Sequence, residues 1–325
     1  MREIDVLGIG NALVDVLSHE TEEFVEKMGL NRGAMTLIDE ERAHELYGAM
    51  GPGVEISGGS AANTIVGVAS FGGTAAYVGK VRDDQLGEVF THDIRSTGVI
   101  FESPPASDGV TTGRCLIVVT PDAQRTMNTY LGVSAYLGPD DVDPDLVASA
   151  KVVYLEGYLW YRPEAKEAYR NAARIAHDAG HEVSLTLSDS FCVDRHRAEW
   201  LHMVEHEVDI LFANEAEICS LYECDFDNAL ERVRKHCKVA ALTRSEKGSL
   251  VVCDDDVHTV DAHPVTLVDT TGAGDLYASG FLYAYTQGLD LDVCGNMGSL
   301  AASEVISHLG ARPESDLTTL AKPLL

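Results

Sequence analysis

Seven residues near the end of the chain, Asp269-Thr270-Thr271-Gly272-Ala273-Gly274-Asp275, combine a pliable backbone with carboxylates and hydroxyls. They follow an apolar stretch that reads as a strand (Val265, Leu267, Val268) and precede a small-residue run, 273–287, that reads as a helix. Glycine and alanine let a backbone approach a ligand closely, and a helix N-terminus offers unpaired amides and partial positive charge. Together they form an anion site suited to a transferring phosphoryl group. Asp275 stands inside that site, where a carboxylate can take the proton of an attacking hydroxyl while the amides hold the phosphoryl oxygens. Capping is the competing explanation for any single Asp or Thr before a helix, but a seven-residue string between strand and helix is more specific than capping requires.

Two other phosphate-binding patterns fail on their own residues. Gly79-Lys80 has the end of a P-loop, but Thr74 occupies the first glycine position and Val81 stands where Ser or Thr is required. Gly8-Ile9-Gly10 ends a strand as in a dinucleotide fold, yet the third glycine position is Leu13, which argues against an NAD-dependent oxidoreductase.

The elements that must position the loop are read from apolar periodicity. Residues 4–10 form a short buried strand, whereas 11–52 lack a sustained period and are expected to be irregular. A small-residue helix is predicted at 61–71, a strand at 74–81 and an amphipathic helix at 84–97, followed by short alternating strands at 114–119 and 126–130. From residue 151 the rhythm becomes strand (152–155), helix (163–179), strand (182–187), helix (195–208), strand (209–213), then strands at 239–243 and 249–252. Helices at 273–287 and 291–309 close the chain. Such alternation implies βαβ units and a parallel sheet flanked by helices. The expectation is a single α/β domain over 1–325, with a small β-sheet lid from about 12–52 and about 104–132 and a nucleotide-binding half at about 151–325.

Composition narrows the partners. Hydrophobic residues at 45% allow a sizeable core, while 24 basic against 52 acidic residues give a net charge of −28. A chain this acidic repels phosphate backbones and anionic lipid, so neither nucleic acid nor membrane is an expected partner. An anionic small molecule needs local compensation from amides, a metal or a few basic side chains. The seven cysteines include no C-x-x-C pair and fit reduced thiols in a cytoplasm. No apolar run approaches the ~20 residues of a membrane span, and a cytoplasmic protein is expected.

On these residues the sequence resembles the ribokinase-like (PfkB) family of carbohydrate and nucleoside kinases. The C-terminal string is similar to that family's signature, and Gly58-Gly59-Ser60-Ala61-Ala62-Asn63 is similar to its N-terminal glycine motif. The resemblance runs from Val6 to about Pro313. It implies a three-layer ribokinase-like core with a mainly parallel central sheet, a β-sheet lid over the acceptor, ATP and Mg²⁺ as co-substrates, and transfer to a primary hydroxyl. By resemblance Asp275 is the base, and Gly272, Ala273 and Gly274 form the anion hole. Asn214-Glu215-Ala216-Glu217 has the family's N-x-x-E pattern, which places Asn214 at the phosphates and Glu217 at Mg²⁺ through water, although the bare residues read as a helix cap. The resemblance brings Thr243, Gly248, Thr271 and Asn296 to ATP, with Ser245 replacing a family glycine, and a monovalent cation such as K⁺ near Asp269.

At the acceptor end, Asn11 and Asp15 are four apart, the arrangement of the adenosine-kinase branch rather than of sugar kinases. That resemblance has Asp15 accept hydrogen bonds from the two ribose hydroxyls, sound chemistry for an acceptor-only group facing two donors. Asn11 and Asn63 fix the sugar further, beside Gly58, Gly59 and Ser60. The purine needs apolar walls, for which Leu13, Cys115, Leu131, Tyr158, Leu159 and Trp160 are candidates, and Arg125 is a candidate counter-charge for phosphate. The alternatives are a sugar kinase acting on ribose or fructose, and a non-catalytic nucleotide-binding module. The expected partners are a nucleoside or sugar and ATP, on a monomer or a homodimer according to whether the lid's open face meets a second lid.

Overall fold

The computed structural model describes residues 3–122 and 124–325; residue 123, within the second expected lid segment, lies outside them. The N-terminal part runs β1 (Ile4–Ile9), β2 (Leu13–His19), α1 (Glu22–Lys27), β3 (Met35–Leu37), α2 (Glu40–Ala49), β4 (Gly53–Gly58), α3 (Ser60–Ser70), β5 (Ala75–Val78), α4 (Gln85–Ser96), β6 (Gly113–Val119) and β7 (Arg125–Tyr130). It continues as α5 (Pro144–Ala148), β8 (Ala150–Glu156), α6 (Pro163–Asp178), β9 (Glu182–Thr186), α7 (Ser190–His206), β10 (Ile210–Asn214), α8 (Glu215–Tyr222), α9 (Phe226–Val233) and β11 (Val239–Thr243). The last part is β12 (Ser249–Cys253), β13 (Asp256–Val260), α10 (Ala273–Thr286), α11 (Leu291–Val305) and α12 (Leu317–Ala321).

Eight strands form one sheet in the order β13-β12-β11-β10-β9-β8-β1-β5, parallel except where β12 pairs with β11 and β13. Its central strands are apolar on both faces because both are covered. Val6, Tyr154 and Phe212 pack beneath α3, α4, α10 and α11, while Leu7, Val153 and Leu155 pack beneath α6, α7, α8 and α9. The architecture is thus the expected three-layer α/β/α core. The small residues of α3 and α10 serve close approach: a Cβ on Gly67 would collide with Ser279, and one on Gly280 with the Met297 carbonyl. Among the described residues no helix is long and apolar enough to cross a membrane, and all seven cysteines are free thiols.

The second sheet, β3-β7-β6-β2-β4, corrects the reading of 11–52 as irregular. Its β2 alternates faces with period two. Val14 and Val16 pack, with Leu116, against Ala43 and Leu46 of α2. The opposite face carries Asp15 in register with Cys115, and Leu17 in register with Ile117. Helices α1 and α2 therefore cover one side of this lid, and the opposite side carries Asp15 among Leu17, Cys115 and Ile117. Val265, Leu267 and Val268 form no strand: Val268 donates its amide to the carbonyl of Ile306 at the end of α11 (2.9 Å), and the three side chains are exposed.

Two neighbouring connections, residues 10–12 and Gly58-Gly59, join lid to core. Gly59 has φ +105°, a region that disfavours other residues, and a Cβ there would overlap the carbonyl oxygen of Asn11. The two crossings are in van der Waals contact, which forces glycine at this point.

Candidate active site

The loop before α10 is braced by its own first carboxylate. Asp269 Oδ1 accepts from the Thr271 amide (3.0 Å) and Thr271 hydroxyl (2.7 Å), and Oδ2 accepts from the Gly310 amide (3.1 Å) and from the Arg125 guanidinium. Burial would push this carboxyl up, but the Thr271 bonds and Arg125 outweigh it and hold it below the usual range. Four donors on two oxygens leave no lone pair for a cation. Asp269 therefore holds the loop and the lid residue Arg125 instead of serving as a side-chain ligand for K⁺. Thr271, expected at ATP, has its hydroxyl turned inward to Asp269. Gly272 opens α10 at φ +76°, with Ala311 packed where a Cβ would lie (2.8 Å). A Cβ on Gly274 would meet nothing within 4 Å, so this face of the loop looks onto open space.

Asp275 lies in the first turn of α10 and faces the first turn of α3. Its Oδ1 accepts from Ser60 Oγ (2.6 Å) and its Oδ2 from Asn63 Nδ2 (2.9 Å). Burial raises its proton affinity, against which Ser60, Asn63 and the charge of Arg312 act. Asn63 Oδ1 is buried without a partner among the described residues. The structure thus brings Ser60 and Asn63, both expected at the sugar, to the carboxylate of Asp275.

Asp15 is the counterpart on the lid. Among the described residues none donates a hydrogen bond to its carboxylate, and Gly58 lies so close that a Cβ there would overlap it. Burial raises the carboxyl to about 6, with Arg312 and Arg125 lowering it and Asp275 raising it. A half-buried acceptor pair without protein donors is what a diol-bearing ligand needs. Cys115 sits beside it on β6, its sulfur accepting from Thr129 (3.3 Å) and its thiol pushed to about 12 by burial and by Asp15.

Sequence reasoning missed Glu156, which ends β8 fully buried. Its Oε1 accepts from the amide (2.8 Å) and side chain (2.7 Å) of Asn11, and its Oε2 from the amide of Ala61 (2.7 Å). One carboxylate thereby pins both lid connections. Gly10 is required because a Cβ would lie 2.5 Å from Oε2. Burial lifts this carboxyl to about 7, opposed by the three N–H donors. Asn11 Oδ1 accepts from Ser134 (3.0 Å), so both ends of its amide are held by protein. The sequence signal was an acidic residue directly after the apolar run Val152 to Leu155. Arg312, also missed, is a lone arginine between α11 and α12.

Of the expected purine walls, Leu131 opens a half-buried turn whose carbonyl accepts from Ser134 (2.6 Å), and Leu13 is buried at the start of β2. Trp160 requires correction. It is 1% exposed, stacked on Trp200 with centroids 4.6 Å apart and bonded through Nε1 to Glu199 (2.9 Å), inside the apolar layer beneath α6 and α7. Leu159 lies in the same layer, and Tyr158 donates to the Ser188 carbonyl (3.1 Å).

Two of the ATP candidates, Asn214 and Thr243, lie at the carboxyl ends of parallel strands, the usual ligand edge of such sheets. Asn214 ends β10 in register with Thr243, which ends β11. Asn214 and Glu217 form a reciprocal capping box: Oδ1 accepts from the Glu217 amide (2.9 Å), while Glu217 accepts from the Asn214 amide (2.9 Å) and Nδ2 (2.6 Å). Burial raises Glu217 to about 7. Gly248 is at φ +79°, where a Cβ would overlap the Val260 carbonyl. Asn296 donates to the Asp292 carbonyl of its own helix (2.7 Å). Among the described residues no cluster of three or more His, Cys, Asp or Glu side chains could hold a metal alone. A magnesium ion here would take phosphate and water oxygens, as that ion commonly does, with Glu217 beyond its waters.

The sequence model of pfkB family carbohydrate kinases matches residues 10–318. A solved adenosine kinase from Sinorhizobium meliloti is 54% identical, covering 99% of this chain and 100% of its own, with a TM-score of 0.92. A structure described as a probable sugar kinase protein from Rhizobium etli CFN 42 is 52% identical over the whole of both chains, with a TM-score of 0.93. The adenosine kinase of Saccharomyces cerevisiae is 26% identical over 97% of this chain and 98% of its own.

Glu156→Gln would turn an NH₂ group toward at least one of three N–H donors. Urea denaturation is expected to show a loss of about 1–3 kcal/mol, the cost of one buried donor without an acceptor.

Proposed function

Because this chain belongs to the pfkB family of carbohydrate kinases and is a phosphotransferase with an alcohol acceptor, we propose that its acceptor is the 5′-hydroxyl of adenosine or a related purine nucleoside. The observation that carries this reading is Asp15: a half-buried carboxylate without protein donors among the described residues, on the lid and near enough to Asp275 to feel its charge. A ribose with free 2′ and 3′ hydroxyls supplies two donors there and extends its 5′ carbon toward the base. The near-identical length and 54% identity shared with an adenosine kinase support the same reading.

In the transfer, the 5′-oxygen forms a bond to the γ-phosphorus of ATP as the bond from that phosphorus to the β,γ-bridging oxygen breaks. The hydroxyl proton passes to Asp275, leaving AMP and ADP. Ser60 and Asn63 hold the two Asp275 oxygens in the free protein and release one to the substrate hydroxyl. The amides that open α10 receive the phosphoryl oxygens, and Arg125, carried by the lid and fastened to Asp269, adds positive charge when the lid is in place. Bound Mg²⁺ would neutralise phosphate charge, with Asn214 and Glu217 on its outer side. The lid excludes water, which otherwise consumes ATP.

A sugar acceptor is the second reading, in keeping with the description of the Rhizobium etli neighbour. Initial rates with adenosine, other nucleosides, ribose and fructose at fixed Mg-ATP separate the two. The expected order places adenosine first by kcat/KM, and a preference for ribose or fructose overturns the nucleoside assignment. Asp275→Asn is expected to lower kcat at least about 10²-fold, the usual contribution of a positioned base, while the rise in Tm on adding Mg-ATP persists. Undiminished turnover in that variant would remove Asp275 from the role of base.

A further inference from the structure

The segment Gly310-Ala311-Arg312 follows α11 and touches both halves of the site. At one end the Gly310 amide donates to Asp269 (3.1 Å) and Ala311 packs against Gly272, fixing the phosphoryl loop. At the other, Arg312 reaches the lid connection. Its Nε and Nη2 donate to the Ser57 carbonyl (3.2 and 2.6 Å), Nη2 also to Ser57 Oγ (3.0 Å), and Nη1 to the Ala62 carbonyl in α3 (2.9 Å). Ser57 in turn donates its amide (2.8 Å) and hydroxyl (2.6 Å) to Asp93 on α4.

All of these donors end on carbonyls and a hydroxyl, and among the described residues no carboxylate lies within ion-pair distance of Arg312. Its charge is nonetheless felt by Asp15 from β2, Asp93 from α4 and Asp275 from α10, with the Tyr77 phenol of β5 also facing it. Asp15 meets, besides Arg312, the Arg125 guanidinium, the Cys115 thiol and Asp275. Asp275 meets Ser60 and Asn63 from α3, and Glu156, Tyr154 and Tyr158 from β8 and its following turn. A cation paired directly with either aspartate would occupy an oxygen that a substrate hydroxyl must use and would serve only that one. Held by carbonyls, it attracts both and blocks neither.

We propose that Arg312 is a positioning residue of the transfer: it is the shared counter-charge that keeps Asp15 and Asp275 ionised, and the strap that fixes the phosphoryl loop to the lid connection. This rests on the kinase assignment above. Removing a positive charge makes both carboxylates bind protons more readily, so the acid limb of the pH profile must move upward. Removing the negative charge of Asp93, which competes for the same cation, must move it downward.

The test is kcat/KM for the acceptor the wild type uses best, from pH 5 to 9 at saturating Mg-ATP, in wild type, Arg312→Met, Arg312→Lys and Asp93→Asn. Arg312→Met is expected to raise the acid limb by about one pH unit, within the range a nearby charge moves a carboxylate. Arg312→Lys is expected to leave the limb in place yet lower kcat, because an ammonium keeps the charge but cannot span Ser57 and Ala62. Asp93→Asn keeps an oxygen for Ser57 and is expected to lower the limb; should Arg312→Met fail to fold, this variant alone decides. An acid limb unmoved in Asp93→Asn, or equally lowered rates at every pH in both Arg312 variants, overturns the proposal. A wild type inactive on every nucleoside and sugar would contradict the kinase assignment and not the role of Arg312.

Discussion

Four carboxylates, Asp15, Glu156, Asp269 and Asp275, gather where the second sheet meets the core, and each is partly or wholly removed from water. Isolated charges in such a place would be costly, and the local structure is organised around satisfying them to different degrees. Glu156 takes three N–H donors and Asp269 four donors. Asp275 receives two donors, Ser60 and Asn63, and Asp15 receives none among the described residues. The graded series separates carboxylates that hold the frame from those left to act.

The same requirement explains the glycines. Gly10 and Gly58 give room to Glu156 and Asp15, and Gly59 lets the two lid connections touch. It also reconciles a net charge of −28 with an anionic co-substrate. Two of the 24 basic residues, Arg125 and Arg312, are drawn inward beside Asp269, Asp15 and Asp275. Their positions differ in kind: Arg125 makes a buried ion pair with the phosphoryl loop, and Arg312 keeps its charge unpaired on carbonyls.

Legibility in the sequence followed the range of the interactions. The anion loop and the start of α10 are local, built from seven consecutive residues, and Asp275 could be singled out from them. Asn214 and Glu217 were equally readable as a capping box because cap and partner are three residues apart. Glu156 and Arg312 escaped because their roles arise from contacts 95 to 145 and 250 to 255 residues away. The lid strand β2 was overlooked although its alternation was present, since the charge of Asp15 interrupts an otherwise apolar face. Trp160 was misplaced for the opposite reason: an aromatic after a strand end suits a stacking wall or a core equally, and packing against Trp200 is a tertiary fact. Val265 to Val268 looked like a strand by composition, but the amide of Val268 goes to the Ile306 carbonyl at the end of α11 and no strand pairs with the segment among the described residues.

The proposed transfer requires that one acceptor span Asp15 on the lid and Asp275 at the start of α10. A crystal structure with adenosine and a non-hydrolysable ATP analogue tests it most directly. The expected result has both ribose hydroxyls within 2.5–3.2 Å of the Asp15 carboxylate, a distance set by ordinary hydrogen bonding. In the same complex the 5′-oxygen displaces Ser60 or Asn63 from Asp275. A nucleoside that leaves Asp15 without a hydroxyl partner, with Asp275 still capped by both Ser60 and Asn63, would contradict it.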